Sequence, residues 1–116
     1  MNVLYLEDNA VFAQLVTRHF LKSHTVTIVP SLALAREALA AGGFDLVISD
    51  YDLEAGKGDA FVRECRMIRP LMPIVAASSH EAGNAALLAA RASAICSKKE
   101  FNHIQEVIAK LEQEMM

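Results

Sequence analysis

Five short apolar runs alternate along the chain with five longer segments in which apolar residues recur at helical spacing. Val3 to Leu6 forms the first run and stops at Glu7-Asp8-Asn9. Over 10–21, Val11, Phe12, Leu15, Val16 and Phe20 predict one buried helical stripe. Thr25 to Val29 is β-branched and ends at Pro30. Ser31 is placed to cap a helix carrying Leu32, Ala35, Ala38 and Leu39, which Gly42-Gly43 closes. Phe44 to Ser49 is nearly all apolar and runs into Asp50. A loop with Gly56 and Gly58 leads to a third stripe of Phe61, Val62, Cys65 and Ile68, ended by Pro70. Pro73 to Ala77 predicts the fourth strand, an Ala-rich stretch over 81–91 the fourth helix, and Ser93 to Ser97 the fifth strand. Phe101, Ile104, Ile108 and Leu111 line a last helix.

Strands apolar on both faces suit a parallel sheet with helices on both sides. The strict alternation and short links predict an α/β fold, a doubly wound five-stranded parallel sheet with five helices in a single domain. Composition agrees. The chain has 116 residues, 53% hydrophobic and 22% charged, enough for one self-supporting core and too apolar for a disordered chain. A net charge of −3 argues against nucleic acid or an anionic membrane as a direct partner. No apolar stretch approaches the roughly 20 residues of a membrane helix, and the first residues lack the basic start of a secretory leader. Cys65 and Cys96 match no metal or redox spacing and read as core thiols of a cytoplasmic protein.

In an open parallel sheet, ligands collect beyond the carboxyl ends of the strands. Glu7 and Asp8 follow the first run, Asp50 and then Asp52 the third, Ser78-Ser79-His80 the fourth, and Lys98-Lys99 the fifth. Singly, each has an ordinary explanation; Ser78, with Glu81 three residues on, resembles a capping box. Together they crowd carboxylates at one sheet edge, where two unit charges about 4 Å apart repel by roughly 4 kcal/mol at an effective dielectric near 20. Such a cluster asks for a cation, and an all-oxygen set suits Mg²⁺ or Mn²⁺ rather than zinc. A metal, a lysine and a hydroxyl around one aspartate fit phosphoryl transfer by positioning and charge neutralisation.

Four motifs together make the chain similar to the response-regulator receiver domains of bacterial two-component signalling over essentially its whole length, residues 1–116. They are Leu4-Tyr5-Leu6-Glu7-Asp8-Asn9, Asp45 to Leu53 with Gly58, Pro73 to Ser78, and Lys98. The resemblance implies the flavodoxin-like strand order 2-1-3-4-5. It implies that Asp50 accepts a phosphoryl group from a sensor histidine kinase or a phosphotransfer protein. It further implies that Asp8 and Asp50 bind Mg²⁺ (or Mn²⁺) directly, Glu7 through water and Asp52 through its backbone carbonyl. Ser78 matches the switch hydroxyl and Lys98 the lysine paired with the aspartate, while Asp52 and His80 occupy positions that tune autodephosphorylation. On this reading the protein is not a turnover enzyme; its only reactions are its own phosphorylation and dephosphorylation.

Four positions depart from the family pattern. Glu54 replaces a common proline, Ser79 a common alanine, Ile95 an aromatic switch residue, and Lys99 the proline after the lysine. Without that proline the Lys98–Lys99 bond is expected to be trans. With Ile95, phosphorylation is expected to leave that side chain in one rotamer and to change the fourth-helix surface only slightly, so that the signal leaves through the loops around Asp50, or through an order–disorder change at 79–84, where Gly83 and Asn84 weaken the helix start. Two alternatives remain. One is a receiver-like interaction module that is never phosphorylated. The other is a haloacid-dehalogenase-like phosphatase using Asp50 and Asp52, disfavoured because no later acidic loop follows.

Overall fold

The computed structural model describes residues 1–115. Its central sheet contains β1 (Asn2–Leu6), β2 (Thr25–Val29), β3 (Leu46–Ser49), β6 (Ile74–Ala76) and β7 (Ala94–Ile95), all parallel, in the order β2-β1-β3-β6-β7. The short antiparallel pair β4 (Asp52–Leu53) and β5 (Gly56–Lys57) stands apart within the loop after β3. With that hairpin set aside, the order is the expected 2-1-3-4-5.

Alternation along the strands builds two cores. Leu4 and Leu6 of β1 face α2 (Leu32–Ala41), α3 (Gly58–Ile68) and α4 (Glu81–Ala89), where Ala35, Leu39, Phe61, Val62 and Leu87 are buried. Val3 and Tyr5 face α1 (Ala10–Phe20) and α5 (Ile104–Met115), with Ala13, Val16, Ile104, Ile108 and Leu111. Strands β1, β3 and β6, closed off from water on both faces, carry continuous apolar runs. The edge strand β2 instead alternates exposed Thr25 and Thr27 with more covered neighbours.

Caps fall where the sequence places them. Ser31 Oγ accepts the Leu34 N–H at 3.2 Å, and Gly42 (φ 81°) and Gly43 (φ 92°) stop α2 in the left-handed region that glycine tolerates. A cap not expected from the sequence is Asn9, which caps α1 by accepting the Phe12 N–H at 3.0 Å. No peptide bond among the described residues is cis, so Lys98–Lys99 is trans as expected.

Several details differ from the sequence reading. Helix α1 buries Ala13 and Val16, while Val11 and Leu15 are exposed: they form a second stripe turned away from the sheet. Ile68 of α3 is likewise exposed. The fifth strand shrinks to Ala94–Ile95, and a 3₁₀ stretch, Lys98–His103, leads into α5. Helix α4 ends at Ala89, after which Arg91 takes a left-handed conformation (φ 84°).

At the end of the sheet remote from the strand carboxyl ends, Arg66 ties several connections together. Its Nε donates to the Arg91 carbonyl at 2.8 Å, and its terminal nitrogens donate to the Pro70 and Met72 carbonyls and to Ser93 Oγ at 3.0 Å. Ser93 Oγ in turn accepts the Ile74 N–H at 3.0 Å. One guanidinium thus serves carbonyls that their own helices and turns leave unpaired.

Candidate functional site

Parallel pairing of β1 with β3 sets Leu6 opposite Ser49, so the residues that follow, Glu7 and Asp50, emerge side by side. The backbone continues the match: the Asp50 N–H donates to the Leu6 carbonyl at 3.0 Å. Glu7 and Asp50 are buried and Asp8 is exposed, and one carboxylate oxygen of each lies within 4.8 Å of the others. The register of two adjacent strands, rather than any loop, brings these charges together.

Lys98 reaches in from beyond β7. Its Nζ sits 2.6 Å from Glu7 Oε1 and 2.8 Å from Asp50 Oδ2, and 5.3 Å from the centre of the Phe12 ring. Phe12 rests edge-on against Phe101, which stacks on Tyr5, so the ammonium lies over an aromatic floor. Burial works against the charge on Lys98; the bonds to Asp50 and Glu7 outweigh it and raise its pKa. Burial pushes Glu7 above the usual carboxylate range, against the opposing pull of the Lys98 ammonium and of the Asn9 N–H at 3.0 Å.

The remaining Asp50 oxygen, Oδ1, accepts the Tyr51 N–H at 2.7 Å, and the Asp50 carbonyl accepts from Ser49 Oγ at 2.9 Å. Gly58, the first residue of α3, presses against that carbonyl. A Cβ there would lie 1.8 Å from the Asp50 oxygen, so only glycine fits. Its φ lies outside the left-handed region, which makes the requirement one of space and not of conformation.

Ser78 is buried at the end of β6, and its carbonyl accepts the Lys98 N–H at 3.2 Å. Its hydroxyl accepts the His80 N–H at 3.2 Å, ahead of the helix, and α4 has no side-chain cap; the capping box does not form. His80 is exposed. Asp52 is exposed too, and its carboxylate pairs with Lys57 at 2.6 Å, which holds it below its ordinary pKa. The Asp52 side chain is thus engaged outside the carboxylate cluster.

Three contributors escaped the sequence reading: Asn9, which holds Glu7 while capping α1; Phe12 beneath Lys98; and Asn84, buried beside Ser78. Asn9 carries a legible signal, an Asn two residues before Val11, the first apolar residue of the helical stripe. Asn84 carries none, because its partner is a main-chain group of another element.

Three carboxyl groups gather around a single ammonium at an all-oxygen site, an acidic excess that fits a divalent cation such as Mg²⁺. Among known proteins, no family model and no curated sequence matches the chain. Solved structures do. A two-component response regulator from Clostridium difficile is similar with TM-score 0.87 at 13% identity, over 99% of this chain and 98% of that one. The response regulator TrrA from Thermotoga maritima, in complex with Mg²⁺-BeF, gives 0.85 at 19% identity over 95% and 97%. The chemotaxis protein CheY4 of Vibrio cholerae gives 0.84 at 19% over 95% and 97%. The chain therefore has the fold of response-regulator receiver domains.

Proposed function

We propose that residues 1–116 form a cytoplasmic receiver domain that accepts a phosphoryl group on Asp50 from a sensor histidine kinase or phosphotransfer protein. The observation that carries this reading is the buried Asp50 carboxylate at the end of a central strand, 2.8 Å from Lys98 and clustered with Glu7 and Asp8. An Asp50 oxygen attacks the phosphorus of a phosphohistidine. An O–P bond forms, the N–P bond breaks, and its electron pair leaves with the imidazole. Asp8 and Asp50 would hold Mg²⁺ (or Mn²⁺) directly, with the Asp52 carbonyl and, through water, Glu7. When bound, the metal neutralises charge on the transferring group. Lys98 offers the phosphoryl oxygens a cation already held beside Asp50, and Ser78 offers a hydroxyl. The Mg²⁺-BeF complex of a protein of the same fold supports this assignment of the metal.

Acetyl phosphate with Mg²⁺ tests the reading. The wild-type protein should gain the mass of one phosphoryl group, and Asp50→Asn and Asp8→Asn should not. Labelling of Asp50→Asn at the wild-type level would remove Asp50 from its role. An unlabelled wild-type protein would favour the phosphorylation-free interaction module.

A further inference from the structure

A planar amide clamps the main chain of Ser78. Asn84 Oδ1 accepts the Ser78 N–H at 2.8 Å, and Asn84 Nδ2 donates to the Ser78 carbonyl at 3.0 Å. Both polar groups of one residue on the sheet edge are therefore bonded to a single side chain in the first turn of α4. Asn84 is only 5% exposed, so water has little access to replace either bond. The adjacent Gly83 permits this close seat, since a Cβ there would come within 2.5 Å of Ser78 Oγ and 3.1 Å of Tyr51 Cβ. The same Ser78 carbonyl accepts the Lys98 N–H. One peptide group thus joins α4 to the residue whose ammonium touches Asp50.

We propose, building on the receiver reading, that Asn84 is the residue that couples the phosphorylation state of Asp50 to the position of α4. A phosphoryl group on Asp50 draws the Ser78 hydroxyl toward it. Where the Ser78 main chain moves with its hydroxyl, its two bonds to Asn84 carry the first turn of α4 along, or both break. Two buried polar groups left without partners cost more than moving one helical turn, so the helix follows. Ile95, 42% exposed and without a polar group, offers no second resting place on β7 that could carry the signal instead. The change appears in the groove between α4 and β7, lined by His80, Asn84, Leu88, Ile95 and Lys99. A rigid shift of α4 thus takes the place of the slight surface change and the order–disorder change at 79–84 expected from the sequence, because Asn84 is bonded to Ser78 through both ends of its amide.

Amide chemical shifts recorded with and without Mg²⁺ and beryllofluoride test this. In the wild type the largest changes outside the Asp50 loops should fall on 81–90. In Asn84→Asp, which keeps the acceptor and loses the donor, the response of 81–90 per loaded molecule should fall by about half or more. Asn84→Ala should lose nearly all of it, while the Asp50 loop still responds. The Ser78 amide, slow to exchange in the wild type, should exchange quickly in Asn84→Ala. A full α4 response in both variants would overturn the coupling and leave the receiver reading intact. No beryllofluoride response anywhere in the wild type would overturn both.

Discussion

Replacing Gly58 by alanine sets two effects of opposite sign against each other. Alanine is the better helix former, and in a helix interior the exchange stabilises by about 1 kcal/mol. At this position the added methyl would start 1.8 Å from the Asp50 carbonyl oxygen, 2.9 Å from its carbonyl carbon and 3.0 Å from Ser49 Oγ. A carbon and a carbonyl oxygen rest about 3.3 Å apart, so roughly 1.5 Å of separation must be found. Moving Asp50 disturbs its 2.8 Å contact with Lys98 and the 2.9 Å bond from Ser49 Oγ. Moving α3 breaks the 2.7 Å bond from the Gly58 N–H to the Tyr51 carbonyl and loosens Phe61 and Val62. Overpacking of this kind costs about 1–3 kcal/mol or more. Gly58 opens its helix, where the propensity gain is smallest, so a net loss of about 2 kcal/mol is expected. Urea unfolding followed by circular dichroism measures it, and acetyl phosphate labelling should slow in the same variant. A Gly58→Ala protein as stable as the wild type would refute the steric argument and show that α3 does not hold Asp50.

Arg91→Gly should do the reverse. The left-handed conformation costs an L-residue about 1–2 kcal/mol, glycine's extra freedom when unfolded returns about 0.5–1 kcal/mol, and the Arg66 bond needs only the main-chain carbonyl. A gain of about 0.5–1 kcal/mol should raise the urea midpoint, and a lowered midpoint would contradict it. Burial pushes the Cys65 thiol up to about 12 and Cys96 to about 11. The folded protein therefore keeps protons that the unfolded chain loses from near pH 9, and stability should fall as pH rises through that range. Both thiols should resist iodoacetamide at pH 8.5 until urea is added, and rapid alkylation of either in the native protein would show its burial to be incomplete.

The strands that carry the site were legible because closure on both faces forces an apolar run, and each run ends where its polar residue emerges. Glu7, Asp50, Ser78 and Lys98 could be placed at one edge from that rule alone. Which of two neighbouring stripes on α1 turns inward was not legible. Ala13 packs tightly because it is small, while Val11 and Leu15 are more hydrophobic yet face outward. Residue character records affinity for burial, and the sheet decides who receives it. The hairpin of Asp52–Leu53 with Gly56–Lys57 was missed because two paired residues per strand leave no periodicity to detect. The pairing of Asn84 with Ser78 leaves no periodic trace either. In helix statistics Asn84 is a poor residue, and its value lies in a carbonyl and an amide six positions earlier.

The Arg66 clasp has a mechanical consequence for that helix. By gripping the Arg91 carbonyl together with those of Pro70 and Met72, it makes the C-terminal end of α4 a fulcrum anchored to the base of the sheet. Motion begun at Ser78 then swings the helix instead of sliding it. Nine residues span about 13 Å, so a displacement of about 1 Å at Glu81 tilts the axis by about 4° and fades to nothing near Ala89. A partner gripping the N-terminal half of α4 would feel the full stroke, while one bound at its far end would feel almost none.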